Sequence, residues 1–513
     1  MSLLRWMLTL CTALVVRPAT PPPFDVVEVG PAANHKSFAL DVNDRDEVVG
    51  VYHPGDADDD SNQVFLWNGS FSELPRFGAR AFPTGINLQG DIVGQGFTNS
   101  QWRAWLFRGG HYELFPGYGA EAINDRGDIV GRIGSDAYLI SVDPPRHLVG
   151  PNGDTNSSCW GNVVDVNNSG MALLAYCSAS AILSNYHGTP TAIHLIPKWH
   201  RPVVSTSFPE ALNESGQVVG SFKMHSYPAQ AGLWSEGDWH ELGTLLQQPS
   251  AALDINEAGL MVGHVYGSGS AVLWLTNRVG YDLTTLANLP EGFEVITARA
   301  INNQNSIAGT MRRGQDFRAI LLRTNGTSLN LPTYEISEPS TALVSGTNVT
   351  VSVRLVDPQN HPGREITKVV YTLFWRTISG SDTIYYTSYT DRTNVVTSAP
   401  FSVNFPNLQP RHYVVTAEVH DNTGLRAITL PKRFVFTGET DVQARLAPHR
   451  SPLPDTFEFR LSGSPAYRYR LEVSHNLRDW LPLSEEEEIG YFVDAFRMEP
   501  FTFYRAVTVN SEY

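Results

Sequence analysis

"AEAINDRGDIVG" (residues 120–131) is one of several similar segments that decide the fold of this chain. Related segments stand at 39–50 (ALDVNDRDEVVG), 83–94 (PTGINLQGDIVG), 209–220 (PEALNESGQVVG) and 252–263 (ALDINEAGLMVG). In each, an apolar stretch leads to Asn, a polar turn follows, and a second apolar stretch ends in Gly. Asn and Asp side chains bond to their own backbone in tight turns, and Gly tolerates a positive φ there. Each segment therefore predicts two short strands joined by a hairpin turn.

The turn Asn recurs seven times, with separations that run from 37 residues (Asn87 to Asn124) to 46 residues (Asn167 to Asn213). A second apolar signature follows each copy, and its third position is always Leu, as in VFLW at 64–67 and AVLW at 271–274. Most units then close on a short stretch that also ends in Leu, such as WHEL at 239–242. Each unit thus predicts four short strands. The seven turn residues are Asn43, Asn87, Asn124, Asn167, Asn213, Asn256 and Asn302.

Seven four-stranded units in succession predict an all-β protein with a seven-bladed β-propeller over residues 24–332. A small sheet cannot bury both of its faces alone, so neighbouring sheets must stack, and a ring leaves no exposed end. The segment FDVVEVG at 24–30 precedes the first Asn and is predicted to pair with the last unit and close the ring. An open β-solenoid remains the alternative architecture.

The combination of the Asn turn, the V-V-G or I-V-G strand and the A-x-L-W strand resembles the HAF-type extracellular repeat of exported bacterial proteins. The resemblance covers about residues 30–331. Two units depart from the pattern, because Leu174 replaces the final Gly of the fourth and Asn305 replaces the turn Gly of the seventh. The resemblance implies export and a propeller-like fold, and it implies no catalytic residues.

Two further β regions follow the repeats. Residues 341–438 contain about seven alternating apolar and polar runs and predict an immunoglobulin-like β-sandwich without a Cys pair. Residues 455–510 predict a small antiparallel β module. Both resemble modules of bacterial surface and secreted proteins, which implies a role in display or attachment.

The N-terminal residues 1–23 place Arg5 before an apolar run and a Pro-rich stretch, which is typical of a secretory signal peptide. Of three cysteines, Cys159 and Cys177 flank the turn at 167–170 almost symmetrically, which favours a disulfide in an oxidising compartment over two buried thiols. The formal net charge of −15 argues against nucleic-acid binding. A secreted or cell-surface monomer is expected, with no membrane span.

No nucleophile elbow, phosphate-binding loop or metalloprotease motif occurs in the sequence, so no catalytic residue is predicted. The loops that vary most between units are 51–63 and 184–207, and Tyr186, Trp199 and His200 in the second loop are the candidate ligand-binding residues. Asp56, Asp58 and Asp60 are weak calcium candidates, since an ordinary solvated loop explains them as well. No other cofactor is predicted.

The sequence therefore favours a non-catalytic exported protein whose propeller recognises an extracellular protein or polysaccharide. Two alternatives remain open: a secreted glycoside hydrolase or lyase, which requires paired carboxylates that face the channel, and a purely structural surface spacer.

Overall fold

The computed structural model describes most of the chain from residue 22 to residue 509. The described ranges are 22–31, 35–54, 62–78, 80–148, 162–175, 180–188, 191–194, 204–224, 229–243, 248–266, 269–326, 329–341, 343–379, 385–409, 411–438, 445–449, 457–462, 468–474, 477–478, 481–482, 490–494 and 503–509. Strands dominate these ranges, so the all-β prediction is confirmed.

The first strand, β1 (Phe24–Glu28), belongs to a sheet that is completed only by much later residues. Six antiparallel units of four consecutive strands follow it in chain order and are numbered here as sheets 1 to 6. Five of them are separate sheets, and the sixth continues into a ten-stranded sheet. Sheet 1 contains β2 (Ser37–Val42), β3 (Val48–Tyr52), β4 (Gln63–Trp67) and β5 (Phe71–Glu73). Sheet 2 contains β6 (Arg80–Ile86), β7 (Ile92–Thr98), β8 (Gln101–Arg108) and β9 (His111–Phe115). Sheet 3 contains β10 (Gly119–Ile123), β11 (Ile129–Ile133), β12 (Asp136–Leu139) and β13 (Arg146–His147).

The next three sheets repeat this order. Sheet 4 contains β14 (Asn162–Val166), β15 (Met171–Ala175), β16 (Ser180–Ser184) and β17 (Thr191–His194). Sheet 5 contains β18 (Val204–Leu212), β19 (Val218–Met224), β20 (Gln230–Ser235) and β21 (Asp238–Glu241). Sheet 6 contains β22 (Ser250–Ile255), β23 (Met261–Val265), β24 (Ser270–Trp274) and β25 (Gly280–Asp282).

A short helix and the last repeat complete the seventh sheet. Helix α1 (Leu283–Leu286) follows sheet 6, and the Asp282 side chain caps it by accepting a hydrogen bond from the Thr284 N–H. Sheet 7 contains β26 (Ala287–Asn288), β27 (Glu294–Ile301), β28 (Ile307–Arg313) and β29 (Asp316–Thr324), and β1 lies between β26 and β29. Strand β1 pairs antiparallel with β29, from Phe24 opposite Thr324 to Glu28 opposite Ile320. The predicted pairing of the N-terminal strand with the last repeat is therefore observed.

Every first strand of the seven sheets carries a β-bulge three residues before its turn Asn. In sheet 1, Ala39 pairs with Gly50 and Asp41 pairs with Val49, so one residue between them is unpaired. A bulge of this kind redirects side chains and increases the local twist. A Cβ on Gly50 would collide with the Phe38 carbonyl oxygen, and the equivalent Gly of five other units meets a backbone oxygen in the same way, which explains why Gly stands at this position. The bulged residues are Leu40, Thr84, Glu121, Val164, Glu210, Leu253 and Arg299.

After sheet 7 the chain builds two groups of strands that pack on each other. The first group is the three-stranded sheet of β30 (Tyr334–Glu338), β32 (Asn348–Leu355) and β35 (Ser402–Pro406). The second contains β31 (Leu343–Ser345), β33 (Ile366–Ser379), β34 (Tyr385–Val396), β36 (Arg411–Asp421), β37 (Arg426–Ile428) and β38 (Lys432–Gly438). Buried residues of both groups, such as Val351 and Tyr371, belong to one hydrophobic cluster.

The C-terminal region forms two small three-stranded sheets. One contains β39 (Arg445–His449), β40 (Phe457–Ser462) and β43 (Gly490–Asp494). The other contains β41 (Arg468–Ser474), β42 (Leu481–Pro482) and β44 (Phe503–Val509). In the second sheet, the buried Glu472 carboxylate accepts hydrogen bonds from the guanidinium groups of Arg470 and Arg505.

The repeats and the strands that follow them share a continuous sheet. Strand β25 at the outer edge of sheet 6 pairs antiparallel with β37, so that Gly280 lies opposite Ile428 and Tyr281 opposite Ala427. Arg426 donates to Asp282 at 2.9 Å and to Glu418 at 2.8 Å across this junction. The region after the repeats is therefore packed against sheet 6 and shares its hydrophobic core.

Candidate functional site: the interior of the seven first strands

The seven turn Asn residues form a cycle of hydrogen bonds. The Nδ2 of each Asn donates to the backbone carbonyl of the next turn Asn, at 2.9 to 3.4 Å. The seventh bond returns to the start, because Asn302 donates to the Asn43 carbonyl at 2.9 Å. The seven turns are thus arranged in a ring at one end of the sheets, with each sheet next to the sheets before and after it.

Each turn Asn also stabilises the hairpin turn in which it stands. Its Oδ1 accepts the backbone N–H of the residue four positions later, for example Ser306 to Asn302 at 2.8 Å. The residue three positions after the Asn has a positive φ in every turn, including Asp46 at 60° and Asn305 at 65°, which stand where other units have Gly. Asn is required because one end of its amide must accept from the turn while the other end donates to the neighbouring sheet.

A second set of bonds links the residues that follow the turn Asn. The side chain of each such residue accepts the backbone N–H of its counterpart in the preceding sheet, as when Asp125 accepts from Leu88 at 2.7 Å. Five more such bonds follow around the ring and end with Asp44, which accepts from Asn303 at 2.8 Å. The junction of sheets 1 and 2 lacks the bond, since Leu88 carries no acceptor there and its side chain is exposed.

Three carboxyl groups lie inside the ring. Asp41, Asp165 and Asp254 occupy the same position in sheets 1, 4 and 6, two residues before the turn Asn. Each accepts the backbone N–H of its own next residue and the N–H of the following sheet; Asp165, for example, accepts from Val166 at 2.7 Å and Leu212 at 2.9 Å. Asp41 joins sheets 1 and 2 in this way, and Asp254 joins sheets 6 and 7.

The three carboxyl groups interact across the interior. Burial raises the pKa of Asp41 to about 6 and that of Asp165 to about 7, and it raises the pKa of Asp254 well above its ordinary value. Asp41 and Asp165 contribute to the rise at Asp254 through charge repulsion. In each carboxyl group, one oxygen accepts an N–H of its own sheet and the other accepts an N–H of the next sheet. Each carboxyl group therefore holds two adjacent sheets together.

Three further polar groups lie on the neighbouring sheets 5, 6 and 7, near the bulges of the first strands. Glu210 and Arg299 are the bulged residues of sheets 5 and 7, and His264 lies on β23 of sheet 6, opposite Ala251. Arg299 acts electrostatically on Glu210, on His264 and on Asp41 of sheet 1.

These three groups have no polar partner within the described part of the chain. Neither Glu210 nor Arg299 makes a hydrogen bond or ion pair there, and the buried Nδ1 of His264 is likewise unpaired. Burial raises the pKa of Glu210, although the Arg299 charge opposes the rise. Burial also lowers the pKa of His264, and Arg299 lowers it further. A buried unpaired nitrogen such as Nδ1 of His264 is uncommon in native proteins, and ligand sites are one place where it occurs, whereas Arg299 is exposed to solvent.

Exposed aromatic side chains flank this group. Phe208, on the same strand as Glu210, is 47 % exposed, and Tyr266 just after β23 is 59 % exposed. The Tyr266 ring contacts the His264 ring edge-on, with centroids 4.1 Å apart. We call Phe208, Glu210, His264, Tyr266 and Arg299 together the mouth site. It offers a carboxylate, an imidazole, a guanidinium and two accessible rings.

The structure places Tyr186, the one described residue of the three candidates in the 184–207 loop, at a buried position. Its hydroxyl donates to Asp128 at 2.9 Å and accepts from Asn124 at 3.1 Å. The His187 imidazole bonds to the same Asp128 oxygen at 3.0 Å. These contacts tie the loop of sheet 4 to the turn of sheet 3, so the Tyr186 side chain is not available to a ligand. Trp199 and His200 lie outside the described residues.

The calcium candidates Asp56, Asp58 and Asp60 also lie outside the described residues, as do Cys159, Cys177 and the segment 1–21. Within the described ranges, no group of three or more His, Cys, Asp or Glu side chains is arranged to hold a metal ion. No helix among the described residues is both long and apolar enough to span a membrane.

Sequence reasoning missed the mouth site because its residues lie within regular repeat positions. Alignment of the seven repeats on their turn Asn nevertheless reveals one unusual position. The residue four positions before the turn Asn is always small or apolar, as in Ala298 and Pro209, whereas the next residue varies and includes charged side chains. A variable, partly charged position inside an otherwise regular strand indicates side chains that leave the sheet packing.

No protein-family model matches the chain, and no curated protein matches it. Among solved structures, the extracellular domain of a one-component system of B. thetaiotaomicron is 9% identical, with a TM-score of 0.25, over 79% of this chain and 68% of that one. A hybrid two-component system domain of the same organism gives 10% identity and a TM-score of 0.26, over 79% of this chain and 70% of that one. Fibronectin(III)-like modules of Clostridium thermocellum CbhA are 13% identical, with a TM-score of 0.15, over 34% of this chain and 78% of that one. At TM-scores this low, the likeness assigns neither a fold nor a function to the chain.

Proposed function

We propose that this chain is a non-catalytic extracellular recognition protein, in which the seven sheets are the blades of a closed β-propeller and the mouth site binds the ligand. The cycle of Asn hydrogen bonds and the pairing of β1 with β29 support closure over an open solenoid. The strands after residue 333 are proposed to form an immunoglobulin-like sandwich, followed by a small β module that displays or attaches the propeller. Export as a HAF-type repeat protein with a cleaved signal peptide is part of the same proposal.

The observation that carries the proposed recognition role is the buried Nδ1 of His264, which has no partner in the described chain and lies beside the exposed Tyr266 ring, on the sheet between those of Glu210 and Arg299. The interior carboxyl groups differ, because backbone N–H groups already occupy the oxygens of Asp41, Asp165 and Asp254. The mouth site therefore has free hydrogen-bonding capacity, whereas the interior has a structural task.

The test compares the wild-type protein with the double variant Glu210→Ala/Arg299→Ala. Both are applied, with and without calcium, to an array of glycans and cell-wall polysaccharides and to a panel of extracellular proteins. We expect saturable binding of at least one class by the wild-type protein and its loss in the double variant. Glu121→Gln is the matched control, since Glu121 holds the same bulge position in sheet 3 but is paired with Arg132 at 2.8 Å.

Two results would contradict the proposal. Wild-type binding that the double variant retains would place the ligand elsewhere on the protein. A wild-type protein that binds nothing in either panel would overturn the recognition role and favour a surface spacer.

A further inference from the structure

We infer that the mature form of this chain begins at or before Pro22, so that the peptidase that removes the proposed signal peptide cuts upstream of residue 22. This inference rests on the proposed export and adds a processing boundary to it. It depends on three features of sheet 7: the hydrogen bonds of Asn325, the burial of Phe24 and the backbone of the two prolines that precede β1.

Asn325 anchors the two residues that precede β1. Its backbone N–H donates to the Pro23 carbonyl at 3.1 Å, and its side-chain Nδ2 donates to the Pro22 carbonyl at 2.7 Å. The first of these bonds continues the antiparallel register of β1 with β29, in which Phe24 lies opposite Thr324. Pro22 and Pro23 therefore extend the pairing beyond the end of β1 and belong to sheet 7.

Phe24 is poorly suited to be the first residue of the folded chain. It is 0% exposed and lies between two strands, opposite Ala287 of β26 on one side and Thr324 of β29 on the other. Its side chain belongs to the hydrophobic cluster that sheet 7 shares with the strands after the repeats. Cleavage before Phe24 would remove both Asn325 bonds and place a charged ammonium group where the chain is now neutral and buried, which is costly without a charged partner.

The two prolines suit the position that the contacts give them. Proline lacks a backbone N–H but keeps its carbonyl, and both Asn325 bonds use only carbonyl oxygens of Pro22 and Pro23. A proline pair also favours an extended backbone and has little conformational freedom to lose on folding. Pro23 is buried and Pro22 half-buried, as expected for the start of a strand and not for a segment that is discarded.

The first experiment compares two proteins that begin at Pro22 and at Phe24, each released from a tag without extra residues. The shorter protein is expected to unfold about 2 °C or more lower, because two hydrogen bonds are lost, and its Asn325 amide is expected to exchange faster with deuterated water. In the longer protein, Asn325→Ala is expected to lower the unfolding temperature as well. Pro22→Ala, which keeps the accepting carbonyl, and Asn404→Ala, at an exposed residue of β35, are expected to match the unsubstituted protein. Equal unfolding temperatures and equal exchange in the two proteins would overturn the inference.

The second experiment produces the whole chain from Met1 in a bacterial host and identifies the first residue of the exported protein by mass spectrometry. The first residue is expected at position 22 or earlier. An exported protein that begins at Phe24 or later would overturn the inference while the proposed export stands. A chain that stays in the cell and keeps Met1 would overturn the export proposal and the inference with it. The recognition role is tested separately by the arrays and depends on neither result.

Discussion

At the residue scale, one amide side chain performs two tasks in every repeat. The turn Asn accepts from its own hairpin and donates to the next sheet, and in Asn302 the donated bond joins sheet 7 to sheet 1. Its Nδ2 also lies 2.9 Å from the Asp46 carboxylate. The side chain is buried, so no water can replace either bond.

Asn302→Asp is expected to be strongly destabilising at neutral pH. The new carboxylate oxygen would face both the Asn43 carbonyl and the Asp46 carboxylate, where a donor stood before. Leaving buried polar groups unsatisfied costs on the order of 1–3 kcal/mol, and a buried like-charge contact adds to this. Urea unfolding measures the change, with the exposed Asn404→Asp as control. Equal effects of the two substitutions would contradict the proposed role of the Asn cycle.

Leu88→Asn is expected to stabilise the protein. An amide at residue 88 can accept the Asp44 N–H, as Asn168 accepts that of Asp125 at 2.9 Å, and this completes the second set of bonds around the ring. One added hydrogen bond contributes roughly 0.5–1.5 kcal/mol to the free energy of unfolding. The control is Leu114→Asn, which also removes an exposed Leu but adds no such bond. A gain that both variants share would reflect only the loss of exposed apolar surface.

At the scale of elements, the sequence predicts the features that depend on local patterns and does not predict those that depend on distant contacts. The Asn turns and the V-V-G strands predicted the hairpins, because turn chemistry and apolar alternation are local properties. The pairing of β25 with β37 has no local pattern, since strand partners distant in sequence are chosen by packing. The burial of Tyr186 follows from Asp128, a residue 58 positions away, so the sequence could not distinguish a ligand contact from a structural one.

The interior carboxyl groups make the junctions between sheets sensitive to pH. The folded-state pKa of Asp165 is raised to about 7, so the folded protein binds a proton that the unfolded chain has released. The free energy of unfolding is therefore expected to fall as the pH rises from about 4 to about 7. His264, whose pKa is lowered, contributes with the opposite sign.

Asp165→Ala isolates this contribution. The variant loses the bonds to Val166 and Leu212 and is less stable at every pH, but its stability is expected to vary less between about pH 5 and about pH 7 than that of the wild type. Denaturant unfolding over this range measures the slope, and unchanged slopes would show that Asp165 does not titrate there. Asp136→Ala, at an exposed carboxylate, is the control for the loss of a surface charge.

At the scale of the whole molecule, the repeats and the following strands are joined by more than a linker. The sheet continues from β25 to β37, and Tyr281 donates from its buried hydroxyl to the Pro332 carbonyl at 3.1 Å. A spacer that moved independently would share neither a sheet nor a hydrophobic cluster with sheet 6. The two parts are therefore expected to unfold in one transition.

Arg426→Ala is expected to break this coupling. The substitution leaves the buried Asp282 carboxylate and the Glu418 carboxylate without their cation, which costs on the order of 3–5 kcal/mol for buried pairs. Scanning calorimetry is expected to show a lower unfolding temperature and two transitions in place of one. Arg354→Ala, whose exposed ion pair with Glu335 contributes little, is expected to match the wild type.

The placement of β1 in sheet 7 has a consequence for biosynthesis. Phe24 pairs with Thr324, so strand β1 cannot pair with β29 until the ribosome has added 300 further residues (324 − 24). At ordinary rates of translation this interval is roughly 15 to 60 s, during which the ring has no seventh sheet. Proteins that cross a membrane as extended chains must avoid folding too soon. Under the proposed export, a seventh sheet that cannot form before the last repeat is made would keep the chain unfolded enough for transport, and the ring would close only after transport.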